Sequence, residues 1–599
     1  MKRKLTVFIT VLLMGLLCAV TAFAAPYQNY NYYKGLVSTE PQAYVPYKVI
    51  DAVSMGVQTN MDDGFKNPED MDTSAVNGDM AIADTGNSRV VIIDKSYKLK
   101  QYISNKTVQT VQEPVLDEEG NPVLDENGQP TYTETTVETT GFDYNGKNYT
   151  LSSPSGVTFA KDGSLYICDT GNARIIRFEA DENGQYVCVR IFEKPAGLDE
   201  LLASDDNSGS ISADTTAAPE EDDGSDDSEG GSTGENKDND SQYKPLKVAI
   251  ADGGNMYVVS KGNHKGLIEL SSDGSFTKFT GATKVKQTLS NLLRRILSDA
   301  QKEGLTLNLS TEYSNVTLDG DGMIFGTINA LEAQDLWDHF NSGSELGAPI
   351  KRIAPTGSDI LKRNDDYPPS GDASYSALER KQFSSMVDIA VASDGIYSAL
   401  DNNKGRIFTY NNEGELLFIF GAKGSSEGAF TSPVAINLLP FAAVEDGIVT
   451  ADDPEAETYK QMIMAVLDST TAQITLFKPT EYGKLIRSAT MCQQNRQYDE
   501  AVEKWNKVLD QASNSRLAYK GIGRIQYVRG QYEEACKSFE RAYDQSEYGT
   551  AYAKLRNERM ETAMPWVMTA LVVLVVFFLG KALFNKIRRF IKTGGKSNG

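Results

Sequence analysis

Two seven-residue segments, Asp84-Thr85-Gly86-Asn87-Ser88-Arg89-Val90 and Asp169-Thr170-Gly171-Asn172-Ala173-Arg174-Ile175, each follow an apolar run and lead into another. The pattern predicts a tight turn between two antiparallel strands. Asp and Asn bond turn backbone, Gly is expected to supply a φ > 0 position, and β-branched residues restart extended structure. The Arg returns at the start of the second strand, where its five donors can reach backbone carbonyls or the turn Asp. Fainter copies follow. Strand, Asp-Gly turn and strand recur at Val157–Ile167, Val248–Val258, Val316–Phe325 and Ile389–Tyr397; Asp401 and Arg406 keep the Asp-x4-Arg spacing; and a degenerate copy ends at Asp468–Ile474 with Gln473 in the Arg place. Repetition on this scale decides the fold before any single residue does.

These residues resemble the NHL repeat, the blade motif of a family of β-propellers. The resemblance implies a mainly β, six-bladed NHL-like propeller over residues 43–480, within the ~4–8 blades that close into a ring. Phe420-Gly421 through Gly428-Ala429-Phe430 looks like the family's inter-blade link. The segment from Tyr47 to Val53 has no hairpin partner of its own, so it is expected to complete the last blade and remove the edge where the ring's two ends meet. Residues that recur in phase with the blades usually serve the fold. Asp84, Asn87, Arg89, Asp169, Asn172, Arg174, Asp401 and Arg406 are therefore read as structural.

A second repeat lies C-terminal to the first. Tyr498–Trp505 and Tyr532–Phe539 share a Tyr-x-Glu-Ala pattern 34 positions apart, the tetratricopeptide period. The segment 484–564 is similar to that family, with Ala501, Trp505, Gly523, Ala535, Phe539 and Ala542 at its small and aromatic packing positions. A third helix is expected to run on through Pro565 into an apolar stretch, 565–584, that carries only Lys581 as a charge. That length suits a membrane span of ~20 residues. Lys586, Arg588, Arg589 and Lys592 follow in a basic tail, 585–599, and cations stay on the cytoplasmic side. At the other end, Lys2-Arg3-Lys4, the apolar run Leu5–Val20 and Ala22-Phe23-Ala24 read as a signal peptide, 1–24. The expected location is the cell membrane, single-pass, with the large domain extracytoplasmic and the C-terminus cytoplasmic.

Net charge is −23, and an acidic exterior repels phosphate backbones, so nucleic acid is excluded as a partner. Beyond the signal peptide only Cys168, Cys188, Cys492 and Cys536 remain, too few for a disulfide framework; free thiols outside the membrane point to a Gram-positive bacterium. Four insertions are expected: a hairpin at 107–140, a disordered acidic loop at 199–242, an amphipathic helix at 284–304 and a long connection at 352–386, besides a short helix at Leu331–Phe340.

Catalytic signatures are sparse. His264 and His339 are the sole histidines, so a three-His zinc site within one chain is impossible. No Gly-x-Ser-x-Gly elbow, phosphate loop or His-Glu-x-x-His helix occurs. No catalytic or metal residue is assigned and no cofactor is expected. The sequence reads as a membrane-anchored extracytoplasmic scaffold binding protein partners or a ligand, in company with a transporter or envelope complex. The alternative is a divalent-metal hydrolase or lactonase of the gluconolactonase type, with calcium in the propeller channel.

Overall fold

The computed structural model describes residues 29–33, 36–58, 64–104, 109–114, 132–137, 141–203, 242–282, 311–365, 367–372, 383–452 and 456–594. The signal peptide, the acidic run 204–241 and the expected helix near 284–304 lie outside the described residues. The chain divides into two compact units, the first ending at Lys484 and the second starting at Leu485.

The first unit is a six-bladed propeller. Blade 1 comprises Asp70–Thr73, Met80–Asp84, Arg89–Ile93 and Leu99–Ile103; blade 2 comprises Gly156–Phe159, Leu165–Asp169, Arg174–Ala180 and Tyr186–Phe192. Blade 3 runs from Pro245–Ile250 to Phe276–Thr280, and blade 5 from Met386–Val391 to Leu416–Phe420, each four-stranded. Blade 4 has three strands, Asn315–Leu318, Ile324–Thr327 and Ile350–Ile353. In its place of a fourth strand, the main chain of Ile350–Ile353 is bonded by the connection that follows: Ile360 N–H donates to the Arg352 carbonyl at 2.6 Å and Arg363 to the Ile350 carbonyl at 3.2 Å. Blade 6 takes Pro433–Leu438, Met464–Asp468 and Gln473–Pro479, and closes with Tyr44–Asp51 from the other end of the unit. This strand starts and ends slightly earlier than the expected segment, because Asp51 caps a short helix, Ala52–Met55, that terminates it.

Period-2 alternation explains how each blade is held. In the second and third strands of blade 1, Met80, Ile82, Val91 and Ile93 pack toward blade 6, whereas Ala81, Ala83, Val90 and Ile92 pack toward Leu165, Ile167, Ile176 and Phe178 of blade 2. A strand buried on both faces is expected to be apolar, and these strands are, save for Asp84 and Arg89 at their turn ends, which pair with each other. Comparable clusters fill the spaces between blades 2 and 3, 3 and 4, and 4 and 5. Between blades 5 and 6 the filling is aromatic: Tyr44 stacks on Phe420 with centroids 4.6 Å apart, and Phe420 meets Phe477 at 5.2 Å.

Decorations follow in part. Gln109–Pro114 pairs with Tyr132–Val137 in the expected hairpin, whose tip lies outside the described residues. A helix spans Ala333–Ser342. An unforeseen hairpin, Asn29–Tyr33 with Leu36–Glu40, lies against the outer strand of blade 5, where Asn29 Oδ1 accepts from Ile419 N–H at 3.0 Å. Cys168 and Cys188 are free thiols on strands separated by Arg174–Ala180.

In the second unit Tyr498–Gln511, Arg516–Val528 and Tyr532–Arg541 are helices joined by short turns, and a helix from Gln545 to Gly594 follows with Pro565 inside it. Its apolar part has mean hydropathy 2.5 and is wholly exposed, long enough to cross a membrane. Ala501, Trp505, Ala535, Phe539 and Ala542 are buried. A Cβ on Gly523 would stand 2.8 Å from the Phe539 ring, and one on Gly521 2.5 Å from Trp505 Nε1. Gly521 was not anticipated: with Gln493, which accepts from Trp505 Nε1 at 3.1 Å, it seats the tryptophan.

Candidate functional site in the propeller channel

The turn residues form a repeated, self-contained arrangement. In blade 1, Asp84 Oδ2 accepts from Arg89 Nε at 2.7 Å and Asn87 Nδ2 at 2.8 Å, while Oδ1 accepts from Lys66 N–H at 2.7 Å. Arg89 Nη2 reaches the Gly64 carbonyl at 2.8 Å. Blade 2 repeats this with Asp169, Arg174 and Asn172 at 2.8 Å, Ser152 N–H at 2.7 Å and the Thr150 carbonyl at 2.9 Å. Blade 5 departs. Asp401 accepts from Ser384 Oγ at 2.6 Å and Ser385 N–H at 2.8 Å, and Arg406 pairs instead with Asp372 and donates to Tyr30 Oη at 2.6 Å.

The expected φ > 0 glycine is a correction. Ser88 and Ala173 take the left-handed conformation, at φ 52° and 53°, as does Gly405 at 63° before Arg406. Gly86 and Gly171 serve close approach: a Cβ would lie 2.4 Å from the Lys66 carbonyl oxygen in one and 2.4 Å from Ser152 Oγ in the other. Their amides donate to those loops, Gly86 to Lys66 and Gly171 to Ser152, both at 2.8 Å.

The innermost strands of the six blades contact one another in ring order and surround a cavity of about 270 Å³. Into it come Asp70 and Asp72 from blade 1, Lys247 from blade 3, Asn315 from blade 4, Asp388 from blade 5 and Asn437 from blade 6. Each carboxylate joins neighbouring blades. Asp70 Oδ2 accepts from Val157 N–H of blade 2 at 2.9 Å, and its Oδ1 lies 2.7 Å from Lys247 Nζ. Asp72 Oδ2 accepts from Phe159 N–H at 2.7 Å, and its Oδ1 from Thr73 N–H at 2.8 Å and from Asn437. Asp388 Oδ1 accepts from Asn315 Nδ2 at 2.5 Å and Ile389 N–H at 2.7 Å, with Oδ2 bound by Ile436 N–H of blade 6 at 2.6 Å. Thr158 Oγ1 adds a bond from blade 2 to the Val248 carbonyl of blade 3 at 2.7 Å.

Desolvation in this enclosure acts on the acids. It raises Asp70 above the ordinary carboxylate range against the pull of Lys247, and Asp72 to about 6. Asp388 is pushed to about 7, first by burial and then by the charge of Asp70. Groups near neutrality are suited to proton transfer. Each of these carboxylate oxygens already receives at least one N–H donor or Lys247 Nζ. Among the described residues no three His, Cys, Asp or Glu side chains are grouped to hold a metal. Neither histidine lines the cavity; His339 is buried, held through Nδ1 to the Ser344 carbonyl at 2.6 Å and lowered to about 4 by burial.

The six channel side chains escaped the sequence reading because the repeat was followed through its turns. A signal existed: Asp70, Lys247, Asn315 and Asp388 all stand at or near the start of a blade's first strand, the segment that faces the ring axis.

The NHL repeat model matches residues 151–178, the inner strand, turn and third-strand start of blade 2. No curated protein matches the chain by sequence. Among solved structures, the chain is similar to a virginiamycin B lyase from Staphylococcus aureus, at 10% identity and TM-score 0.32, over 72% of this chain and 98% of that one. A gluconolactonase from Xanthomonas campestris matches at 10% identity and TM-score 0.31, over 74% and 99%. Kuenenia stuttgartiensis hydrazine synthase matches at 10% identity and TM-score 0.30, over 70% and 97%. Likeness this distant carries no argument about activity. The chain carries a match to the NHL repeat within a six-bladed β-propeller, followed by a helical segment whose last helix is apolar and long enough to span a membrane.

Proposed function

We propose that this chain is a single-pass, membrane-anchored scaffold of a Gram-positive bacterium, with its propeller and its tetratricopeptide-like helices outside the membrane and its basic tail inside. The observation that carries the reading is the helix Gln545–Gly594, which begins among buried packing contacts at Ala551 and Leu555 and continues without interruption into the exposed apolar stretch. A partner-binding domain is thereby held at the membrane face by one element. Its partners are proteins, and a transporter or envelope complex is the expected company. Protease added to intact protoplasts should remove everything before about residue 565; a protected propeller would reverse the topology. Affinity capture from native membranes then identifies the partner.

A second reading, an extracytoplasmic hydrolase working in the channel, is favoured by one observation, the raised Asp72 and Asp388 beside Lys247. We give it second place because both oxygens of each channel carboxylate already receive hydrogen bonds or Lys247. An ion bound by the native state alone would stabilise it by ~2.7 kcal/mol at a hundredfold excess over Kd. Melting of the protein in chelator and then in millimolar calcium should therefore coincide. A rise of several degrees, lost on Asp70→Asn, would promote the hydrolase.

A further inference from the structure

The last two turns of the C-terminal helix differ from the apolar stretch that leads into them. From Thr562 to Lys592 there is no Asp or Glu, and four of the five cations in that interval lie between Lys586 and Lys592. The helix continues through them. At about 100° per residue, Lys581, Arg588 and Lys592 fall within about 40° of arc, with Arg589 about 60° farther round from Lys592 and Lys586 about 60° beyond that, at the border with Phe590. Leu583, Phe584, Ile587, Phe590 and Ile591 occupy a separate arc of about 120°. Phe590 is 79% and Ile591 69% exposed.

Length places this two-faced segment. Pro565–Phe584 extends about 30 Å as a helix, the thickness of a hydrocarbon core, so Phe590 falls about 9 Å beyond it, among headgroups. Trp566, 77% exposed, stands at the opposite boundary, where amphipathic rings settle. A segment with cations on one side and large apolar groups on the other, lying at headgroup depth, fits an interface that offers phosphate and acyl carbon together.

We propose that Lys586–Lys592 is a binding site for anionic phospholipid, the cations Lys586, Arg588, Arg589 and Lys592 taking headgroup phosphates while Ile587, Phe590 and Ile591 enter the acyl boundary. The inference rests on the reading of the helix as a membrane span. It adds that the anchor selects its lipid neighbours.

The test uses the full chain reconstituted in mixed bilayers of phosphatidylcholine and phosphatidylglycerol, with spin-labelled versions of each lipid, and compares their association with the protein by electron paramagnetic resonance. The expected result is a preference for phosphatidylglycerol of about threefold or more. It should fall toward unity in 1 M salt, where the Debye length is about 3 Å, and in the variant Lys586→Gln/Arg588→Gln/Arg589→Gln/Lys592→Gln. Phe590→Ser with Ile591→Ser should lower the preference part of the way at full charge. A normal phosphatidylcholine annulus with no preference, or a preference unmoved by the four-fold neutralisation, overturns this inference alone. Absence of any immobilised phosphatidylcholine overturns the span itself, and the inference with it.

Discussion

Arg89 and Arg406 hold the same place in their blades, each directly opposite the aspartate that ends the preceding strand. Arg89 closes on that aspartate, and the pair is almost fully enclosed, with side chains 3% and 0% exposed. Arg406 turns to Asp372 and Tyr30, leaving its own side chain 31% exposed. The difference has local causes. In blade 1 the position three after the aspartate is Asn87, which shares Oδ2 with the arginine; in blade 5 it is Lys404, and the Ser384 hydroxyl takes Oδ2 instead. Asp372 and the hairpin carrying Tyr30 then offer the displaced guanidinium another partner. Equal spacing in sequence thus produces two different contacts, because a competing donor and a competing acceptor arrive from residues far along the chain.

The sharpest way to break this comparison is to remove each arginine. Arg89→Ala leaves Asp84 buried and uncompensated and should cost about 3 kcal/mol, whereas Arg406→Ala, at a half-open site, should cost about 1 kcal/mol. Denaturant titration of the two variants measures both, and equal losses would show that the geometry of the pair does not matter.

Close approach is next in size. In blade 2, Gly171→Ala drives a methyl into Ser152 and should destabilise by about 2 kcal/mol. The corresponding blade 5 position is Asn403, which already bears a side chain bonded to the Phe383 carbonyl at 3.0 Å, and Asn403→Ala should cost less. A harmless Gly171→Ala would mean that the loop at Ser152 yields freely.

Protonation separates the blades more gently. Asp401, without a guanidinium on its oxygens, is raised to about 6 by burial, and Asp388 in the channel to about 7. A carboxylate whose folded value is raised binds its proton more tightly in the native state, so it favours folding at low pH. That contribution disappears as pH rises from about 4 to the folded value, with a slope of at most about 1.4 kcal/mol per pH unit for one group. Stability measured against pH should have a shallower slope between about 4 and 6 in Asp401→Asn, and a shallower slope from about 4 up to 7 in Asp388→Asn. Unchanged profiles would mean that these acids stay ionised throughout.

The smallest effect concerns the residue before the arginine position. Blade 5 has Gly405 there, but blade 6 has Ala472 at φ 52°. Ala472→Gly should raise stability by about 1 kcal/mol by relieving a left-handed alanine, read as a rise in melting temperature, and a fall would show that glycine's greater freedom in the unfolded chain outweighs the relief.

Much of the fold was legible because a blade is a local object. Its strands are neighbours in sequence, their alternation is set by the pleat, and the Asp-x4-Arg turn recurs where the second strand meets the third in blades 1, 2 and 5; even the closing strand could be inferred, since a ring must pair its ends. Ala501, Trp505, Ala535 and Phe539, spaced by helix geometry within short helical hairpins, are buried. The channel was not legible. Asp70, Lys247 and Asp388 belong to blades 1, 3 and 5 and lie far apart in the chain, so no spacing relates them, and the repeat that reveals the ring conceals the residues that differ from blade to blade. Glycine's role at Gly86 and Gly171 depended likewise on a loop brought up from elsewhere. Periodicity along the chain determined how many blades form and which residues face between them. Only ring closure decided which polar groups meet at the axis and which arginine finds which acid, because those contacts are made by distance through space.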